Sequence, residues 1–357
     1  MIPDPGQTPT TPVDGLGFVD ESLGLITLKD DFFPRNYWLG CNVRVTVGLD
    51  GGGLTNAGGD LPDVRLFAED GKFIGMEADW GPVQPGTYGD VNVDYRWIYQ
   101  FPLAYTLFSA NTDAICIAYT AVVCEMTPRM VWFGDWGWYC GGSWYHSNVL
   151  VGDQKGHKCF WIDANGDQPQ TGFQVHWANF TQRINSIPVP EDPAAKKARA
   201  DEICKTKYVF HMSENDDPHT IFVNNPIEQN PDPGDNIHPS HSKRGYGPPK
   251  SSKSAKFRSR KNKKSTSSRM SNHLVISGTE KHSSRTLCDS DTSWGPDFLN
   301  METGTFCRMT DKTHWSVCDG AKTTDNCFNT DLKALVINGV SARDKAYERI
   351  TDWTAKT

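Results

Sequence analysis

The residues of this sequence that could do chemistry fall into a few local groups. Asp163, Asn165 and Asp167, in the run Asp-Ala-Asn-Gly-Asp, offer the alternating oxygen ligands of a calcium loop. Against an EF-hand, Gln168 stands where the turn glycine belongs and Gln174 where the last glutamate belongs. Asn-Gly is also ordinary turn chemistry, so a hairpin turn is the leading reading and calcium the lesser one. Asp90, Asn92 and Asp94 repeat the spacing on an expected strand and can line a polar face. The histidines form no triad by spacing. His238-Pro-Ser-His241 lacks the helix and glutamate of a zinc protease, and His211, Asp216, Asp217 and His219 make a loop cluster of the kind that is usually solvated. His146 and His176 could each act as a general base, although a hydrogen-bonded structural role is the plainer reading. No nucleophile elbow, P-loop or dinucleotide fingerprint occurs.

The densest chemical stretch is Met130 to His146, MVWFGDWGWYCGGSWYH. Seven of its seventeen residues are aromatic and four are glycine. As a strand it places Trp136 and Trp138 on one face and Tyr139 on the other, because side chains alternate. Core packing is one reading, since aromatic rings bury large areas. The functional reading is a platform of Trp136, Trp138, Trp144 and Tyr145 on which apolar sugar faces stack, with Asp135 accepting hydroxyl protons.

These residues need a scaffold, and the surrounding pattern predicts a sheet. Cys41, Val43, Val45 and Val47 alternate with Asn42, Arg44 and Thr46, which predicts a half-buried strand. Val64, Leu66 and Ala68 lead to Asp70-Gly71, a tight hairpin signal, with Phe73 and Ile74 beyond it. Val91 to Gln100 alternates again. Ala114 to Cys124 is almost continuously apolar, as in a strand buried on both faces. Cys159 to Ile162 and Phe173 to Phe180 complete a series of short strands parted by Gly and Pro turns. The pattern is that of an all-β fold, a β-sandwich or jelly-roll-like body. Asp192-Pro193 can cap and start a surface helix running to about Lys205. Tyr208 to Met212, Thr220 to Val223, Leu274 to Ile276 and Leu332 to Val340 read as further strands, and Ser341 to Asp344 as a helix cap or a turn.

The organisation that follows is an extended lead-in over 1–20 and a sandwich over 21–187. Helix, short strands and loop occupy 188–241, a basic insertion 242–273, and a small disulfide-held C-terminal region 274–357 packs on the body. Ser242 to Arg269 carries eleven Lys or Arg and no acid, and is too polar to order itself by burial. With those eleven set aside, 25 basic residues stand against 43 acids, a charge of −18 hidden inside the overall −7. The insertion's dibasic pairs suit protease processing. Anionic-polymer binding is a second reading, and nucleic acid is not the expected partner.

Length and composition bound the class. At 357 residues the chain can bury a substantial core, and no apolar run approaches a membrane span. Its first residues lack the apolar core of a signal peptide and read as a mature N-terminus with Met placed in front. Ten widely spaced cysteines, with no C-x-x-C, fit up to five disulfides and an oxidising compartment. Four of them lie between Cys288 and Cys327, where three pairings are open. Asn179-Phe180-Thr181 is a glycosylation acceptor, which agrees with secretion.

Several runs resemble one family. They are Tyr105 to Asn111 with Asp113 to Ala118, Phe133 to Gly137, Cys140 to Tyr145, Trp161 to Asp167, and Ser293 to Phe298. Together they resemble secreted, cysteine-containing proteins of filamentous ascomycete fungi, over most of the chain outside the basic insertion. The resemblance implies secretion and carries no activity with it. The expected function is therefore non-catalytic binding of a surface polysaccharide or host target through the aromatic platform, with no cofactor required. The alternative is a secreted hydrolase using a carboxylate/histidine pair such as Asp135 and His176.

Overall fold

The computed structural model describes residues 33–34, 40–48, 58–78, 81–94, 101–125, 127, 129–151, 155–180, 192–214, 217–224, 272–320, 324–341 and 347–354. The lead-in, residues 242–271 of the basic insertion, Tyr95 to Gln100, Asp216, His238, His241 and residues 342–346 lie outside them, and the insertion ends where β12 begins at His273. The fold is all-β, and four sheets form among the described residues.

Two sheets make the sandwich. The first contains β1 (Gly40–Val47), β4 (Tyr88–Asp94), β6 (Ile115–Cys124), β7 (Met130–Phe133), β8 (Trp144–Val151) and β9 (Lys155–Ile162). Its order is β4-β1-β6-β9-β8. One edge of β6 pairs with β1, and the other is shared between β9 and β7. The second sheet contains β2 (Asp63–Phe67), β3 (Phe73–Glu77), β5 (Tyr105–Ser109), β10 (Gln170–His176) and β11 (Phe210–Glu214), in the order β11-β10-β5-β2-β3. The sheets meet through rings. Trp132 of β7 stacks on Phe173 of β10 at 4.6 Å and on Phe210 of β11 at 5.6 Å, while Phe160 of β9 meets Phe173 edge-on.

The apolar run of β6 is buried almost throughout, as a central strand should be. The Asp70-Gly71 turn forms as its sequence predicts: Asp70 accepts from the Lys72 N–H and Gly71 takes φ +83°. β1 differs from expectation, because all eight of its residues are buried rather than one face alone. Its polar row is not in water. Arg44 is covered and makes a two-pronged ion pair with Asp90 on β4 at 2.7 and 2.8 Å. Two other elements also differ. The strand expected over Phe173 to Phe180 ends at His176, and Trp177–Phe180 is a 3₁₀ turn. Residues 217–224, expected to include a strand, form instead an extended strap across the outer face of the second sheet. The side-chain amide of Gln174 holds it by accepting from Phe222 N–H and donating to Phe222 C=O, and Ser109 donates to Pro218 C=O.

Three helices accompany the sheets among the described residues: α1 (Asp135–Tyr139), α2 (Pro193–Lys205) and α3 (Ser284–Cys288). In α2 the Asp192 carboxylate caps the Ala195 N–H at 2.9 Å and Pro193 opens the first turn, as its sequence signals. Beyond the insertion, β12 (His273–Ser277), β13 (Asp297–Asn300), β14 (Thr305–Arg308), β15 (Thr313–Ser316) and β19 (Arg349–Asp352) form a mixed sheet. In it β12 runs parallel to both β13 and β19. One face of this sheet, with Val275, Phe298 and Cys307, joins the sandwich core. The other, with Leu274, Ile276, Leu299 and Phe306, packs on the small sheet of β16 (Cys327–Asn329), β17 (Ala334–Ile337) and β18 (Val340–Ser341).

All ten cysteines are paired. Cys41–Cys124 and Cys116–Cys159 join strands within the first sheet, and Cys140–Cys204 ties α1 to α2. Cys288–Cys307 and Cys318–Cys327 lie wholly in the C-terminal region. No bond crosses the insertion. Replacing Cys140 and Cys204 together by serine should lower stability by about 2–4 kcal/mol, because the closed loop no longer restricts the unfolded chain. Denaturant unfolding measures this, and an unchanged midpoint contradicts it.

Candidate functional site

The aromatic stretch is not one strand but β7, a short helix and the start of β8. After β7 the chain turns at Gly134, where a Cβ would lie 2.4 Å from the Ile117 carbonyl oxygen, and residues 135–139 close as α1. Residues two apart on a helix point about 200° apart, so Trp136 and Trp138 part company. Trp136 turns inward and is fully buried, edge-on to Phe180. Trp138 is half-buried beside Trp144, with the Lys158 ammonium 3.9 Å over its ring. Gly137 lets the helix lie on Phe160, since a Cβ there would sit 2.3 Å from that ring.

Trp144 and Tyr145, next along the chain, are fully buried where the C-terminal region docks. The Trp144 indole N–H donates to Ser290 Oγ at 2.9 Å, and the Tyr145 hydroxyl donates to Pro296 C=O at 2.9 Å. Main chain joins main chain here too: Trp144 N–H donates to Thr292 C=O and Trp294 N–H to Trp144 C=O. Trp161 adds its indole N–H to Trp294 C=O. Gly295 lies flat against the Tyr145 ring, where a Cβ would come within 2.4 Å. The sequence-based platform is thereby corrected. Trp136, Trp144 and Tyr145 have no ring face in water, and Trp138 keeps only part of one.

Asp135 is buried as well. Its carboxylate accepts from His157 Nδ1 at 2.8 Å and Lys158 N–H at 3.3 Å, with Lys158 Nζ at 3.6 Å. Burial pushes its pKa up, but the His157 imidazole and Lys158 outweigh that and hold the carboxyl below its ordinary range. His157 stacks on Phe133 at 4.4 Å, and its Nε2 is buried without a hydrogen-bond partner among the described residues. His176, the expected partner of Asp135, belongs to the second sheet. Its Nδ1 meets Asn179 Oδ1, its Nε2 meets Glu69 Oε2 at 2.9 Å, and its ring stacks on Tyr105. The Asp135/His176 acid–base pair is therefore not assembled. His157 was missed because its pairing with Asp135 depends on β9 returning past α1, which no local spacing announces.

The calcium-like run forms a turn between β9 and β10. Asp163 Oδ2 accepts from Asp167 N–H at 2.6 Å and Gln168 N–H at 3.3 Å, and Asn165 Oδ1 accepts from Asp167 N–H at 3.1 Å. Two of the three nominated side chains thus turn oxygens onto their own backbone, with Gly166 at φ +91°. Among the described residues no group of three or more His, Cys, Asp or Glu is placed to hold a metal ion. His219 and Asp217 pair at 3.2 Å on the surface, while His211 packs edge-on to Phe222.

Some serine pairs that spacing did not suggest also form. Ser284 Oγ lies 3.2 Å from His314 Nε2 but donates to Thr305 Oγ1, and Ser284 is fully buried. Lys312, whose pKa burial pushes down to about 8, donates to the Ser293 carbonyl and hydroxyl oxygens. The Ser293 hydroxyl in turn donates to Leu287 C=O. Both serine protons are already committed to the fold.

One aromatic ring stands differently. Tyr88, the first residue of β4, is 53 % exposed. The Arg44 guanidinium carbon lies 3.6 Å from its ring centroid, and Asp90 grips that guanidinium from the next outward position of the strand. Asn92 and Asp94 follow on the same face, both exposed.

Fold and site together define a disulfide-bonded β-sandwich protein carrying a docked, separately cross-linked C-terminal β region. No protein-family model matches the chain, and no curated protein matches it. Among solved structures, those of a lipoxygenase deletion variant, one in complex with arachidonate, match at 12 % identity with a TM-score of 0.21. The match covers 35 % of this chain and 16 % of theirs, so the chain spans a small part of their length. A likeness of that depth carries no argument.

The seam assignment predicts unequal tryptophans. Trp144→Ala should cost about 3–5 kcal/mol, as for a core ring, and Trp138→Ala under about 2 kcal/mol, as for a half-buried one. Equal losses in chemical denaturation would contradict the assignment.

Proposed function

We propose that this is a secreted, non-catalytic protein that binds a surface polysaccharide through the Tyr88 face of β4. Five disulfides suit an oxidising compartment, and no described helix is long and apolar enough to cross a membrane. The observation that carries the binding reading is Tyr88 itself. An exposed ring backed by a fixed guanidinium is rigid before any ligand arrives, so binding costs little side-chain entropy. Its outer face can stack on the apolar face of a sugar ring, while Asp90, Asn92 and Asp94 offer oxygens and an amide to the hydroxyls. The aromatic stretch then serves as scaffold, and recognition falls to the opposite edge of the same sheet, where β4 lies.

Retention on a panel of insoluble polysaccharides tests this. The intact protein should be retained without releasing soluble sugar. Tyr88→Ala should weaken retention roughly thirtyfold, the effect of losing a central aromatic anchor worth about 2 kcal/mol. Its melting temperature should hardly change. Equal retention of the variant, or release of sugar by the intact protein, overturns the reading.

A further inference from the structure

The two disulfide-closed halves meet at a seam whose centre holds two imidazoles. His146 of β8 and His282, which precedes α3, are both buried, with ring centroids 5.1 Å apart. His146 Nε2 meets Ser283 C=O at 3.1 Å, across the seam. His282 Nδ1 meets Ser277 Oγ at 2.8 Å, and the Ser147 backbone, on the sandwich side, is the ring's other polar neighbour. The walls are aromatic: Trp144 and Tyr145 from the sandwich side, Phe298 and Trp353 from the C-terminal side. The charges that bear on the pair are cationic, Lys158 of β9 on both rings and Lys281 on His282. The nearby carboxylates are engaged elsewhere, Asp135 with His157 and Lys158, and Asp297 with the Tyr347 hydroxyl and Met309 N–H.

We infer that this seam is an acid-opened interface, closed while His146 and His282 are neutral and parted when they take up protons. Geometry sets the direction. A proton on either ring places a cation in an aromatic pocket, beside another imidazole and within the field of a lysine, with Asp135 and Asp297 already engaged by other partners. Burial accordingly pushes His282 down to about 4 and His146 well below its ordinary value. An opened seam returns both rings to about 6.5. The open form therefore binds more protons than the closed form below pH 6.5, so closure weakens as pH falls from about 6.5 to about 4. For His282 alone the open-to-closed ratio should rise on the order of a hundredfold by pH 4.5. The disulfide pattern decides what opens: three bonds hold the sandwich, two hold the C-terminal region, and none spans the seam.

Amide hydrogen exchange of the full chain at pH 7.5 and 4.5, corrected for intrinsic rates, tests the inference. Peptides carrying the seam amides of Trp144 and Trp294 should lose on the order of a hundredfold protection at pH 4.5. Those of β1 and β6, clamped by Cys41–Cys124, should keep theirs. His273, pushed by burial to about 4 inside β12, also feels acid, but its effect belongs to the β12–β19 pairing. In the double variant His146→Gln and His282→Asn, the amides replace Nε2 and Nδ1 without titrating, and the seam should stay protected at pH 4.5. The inference is overturned by equal seam protection of the unmodified chain at both pH values. It is equally overturned if the variant opens as much as the parent. Should the variant fail to fold, the unmodified chain still decides, since seam protection that does not begin to fall between pH 6.5 and 4 overturns it too.

Discussion

The structure depends on a non-covalent seam between two parts that are each closed by their own disulfides. One strand, β8, does most of the joining. Trp144 and Tyr145 alternate on it, yet both end inside the molecule, because the C-terminal region wraps the end of the sheet instead of lying on one face. Each ring brings a polar handle that finds a partner across the seam, Ser290 for the indole and Pro296 C=O for the phenol. A buried Trp or Tyr without such a partner loses much of what its area contributes. The Ser-Trp-Gly-Pro run at 293–296 is shaped for the same contact, with Gly295 bare against the Tyr145 ring. What looked like two features of the sequence is one interface read from its two sides.

Charge is handled the same way throughout the sandwich. Buried ions are paired and hydrogen-bonded: Arg44 with Asp90, Arg65 with Asp63 and Ser109, Asp135 with His157 and Lys158. Removing one member of such a pair leaves the other stranded in low dielectric, which is far costlier than losing a surface ion pair. This explains why polar residues at alternate positions of β1 did not mean a solvated face. It also explains why Asp135, the acid most suggestive of catalysis, is a structural anchor between α1 and β9. On the proposed binding reading the contact that matters most is Arg44 with Asp90, which fixes a cation beneath an exposed tyrosine.

Local patterns were legible in the sequence and distant ones were not. The continuous apolar run of β6, the Asp70-Gly71 turn and the Asp192-Pro193 start of α2 each depend on neighbours within a few residues, and each formed as read. The helix at 135–139 was not legible. It is five residues long with glycine at its centre, so propensity argues against it, and only packing on Phe160 and the pull of Cys140–Cys204 hold it. Tyr88, Arg44 and Asp90 meet through a β1–β4 register spanning 46 residues, which alternation alone cannot supply. Cysteine count gave the five bonds, but spacing could not reveal that they divide three and two around the insertion.

The central claim is that the aromatic stretch is interior and joins the two parts. Hydroxyl-radical footprinting of the native protein, read residue by residue by mass spectrometry, tests it most directly. The account predicts that Trp132, Trp136, Trp144 and Trp161 oxidise far more slowly than the partly exposed Trp138 and Trp315. Oxidation of Trp136 and Trp144 at the rate of Trp315 would show open rings there, and contradict it.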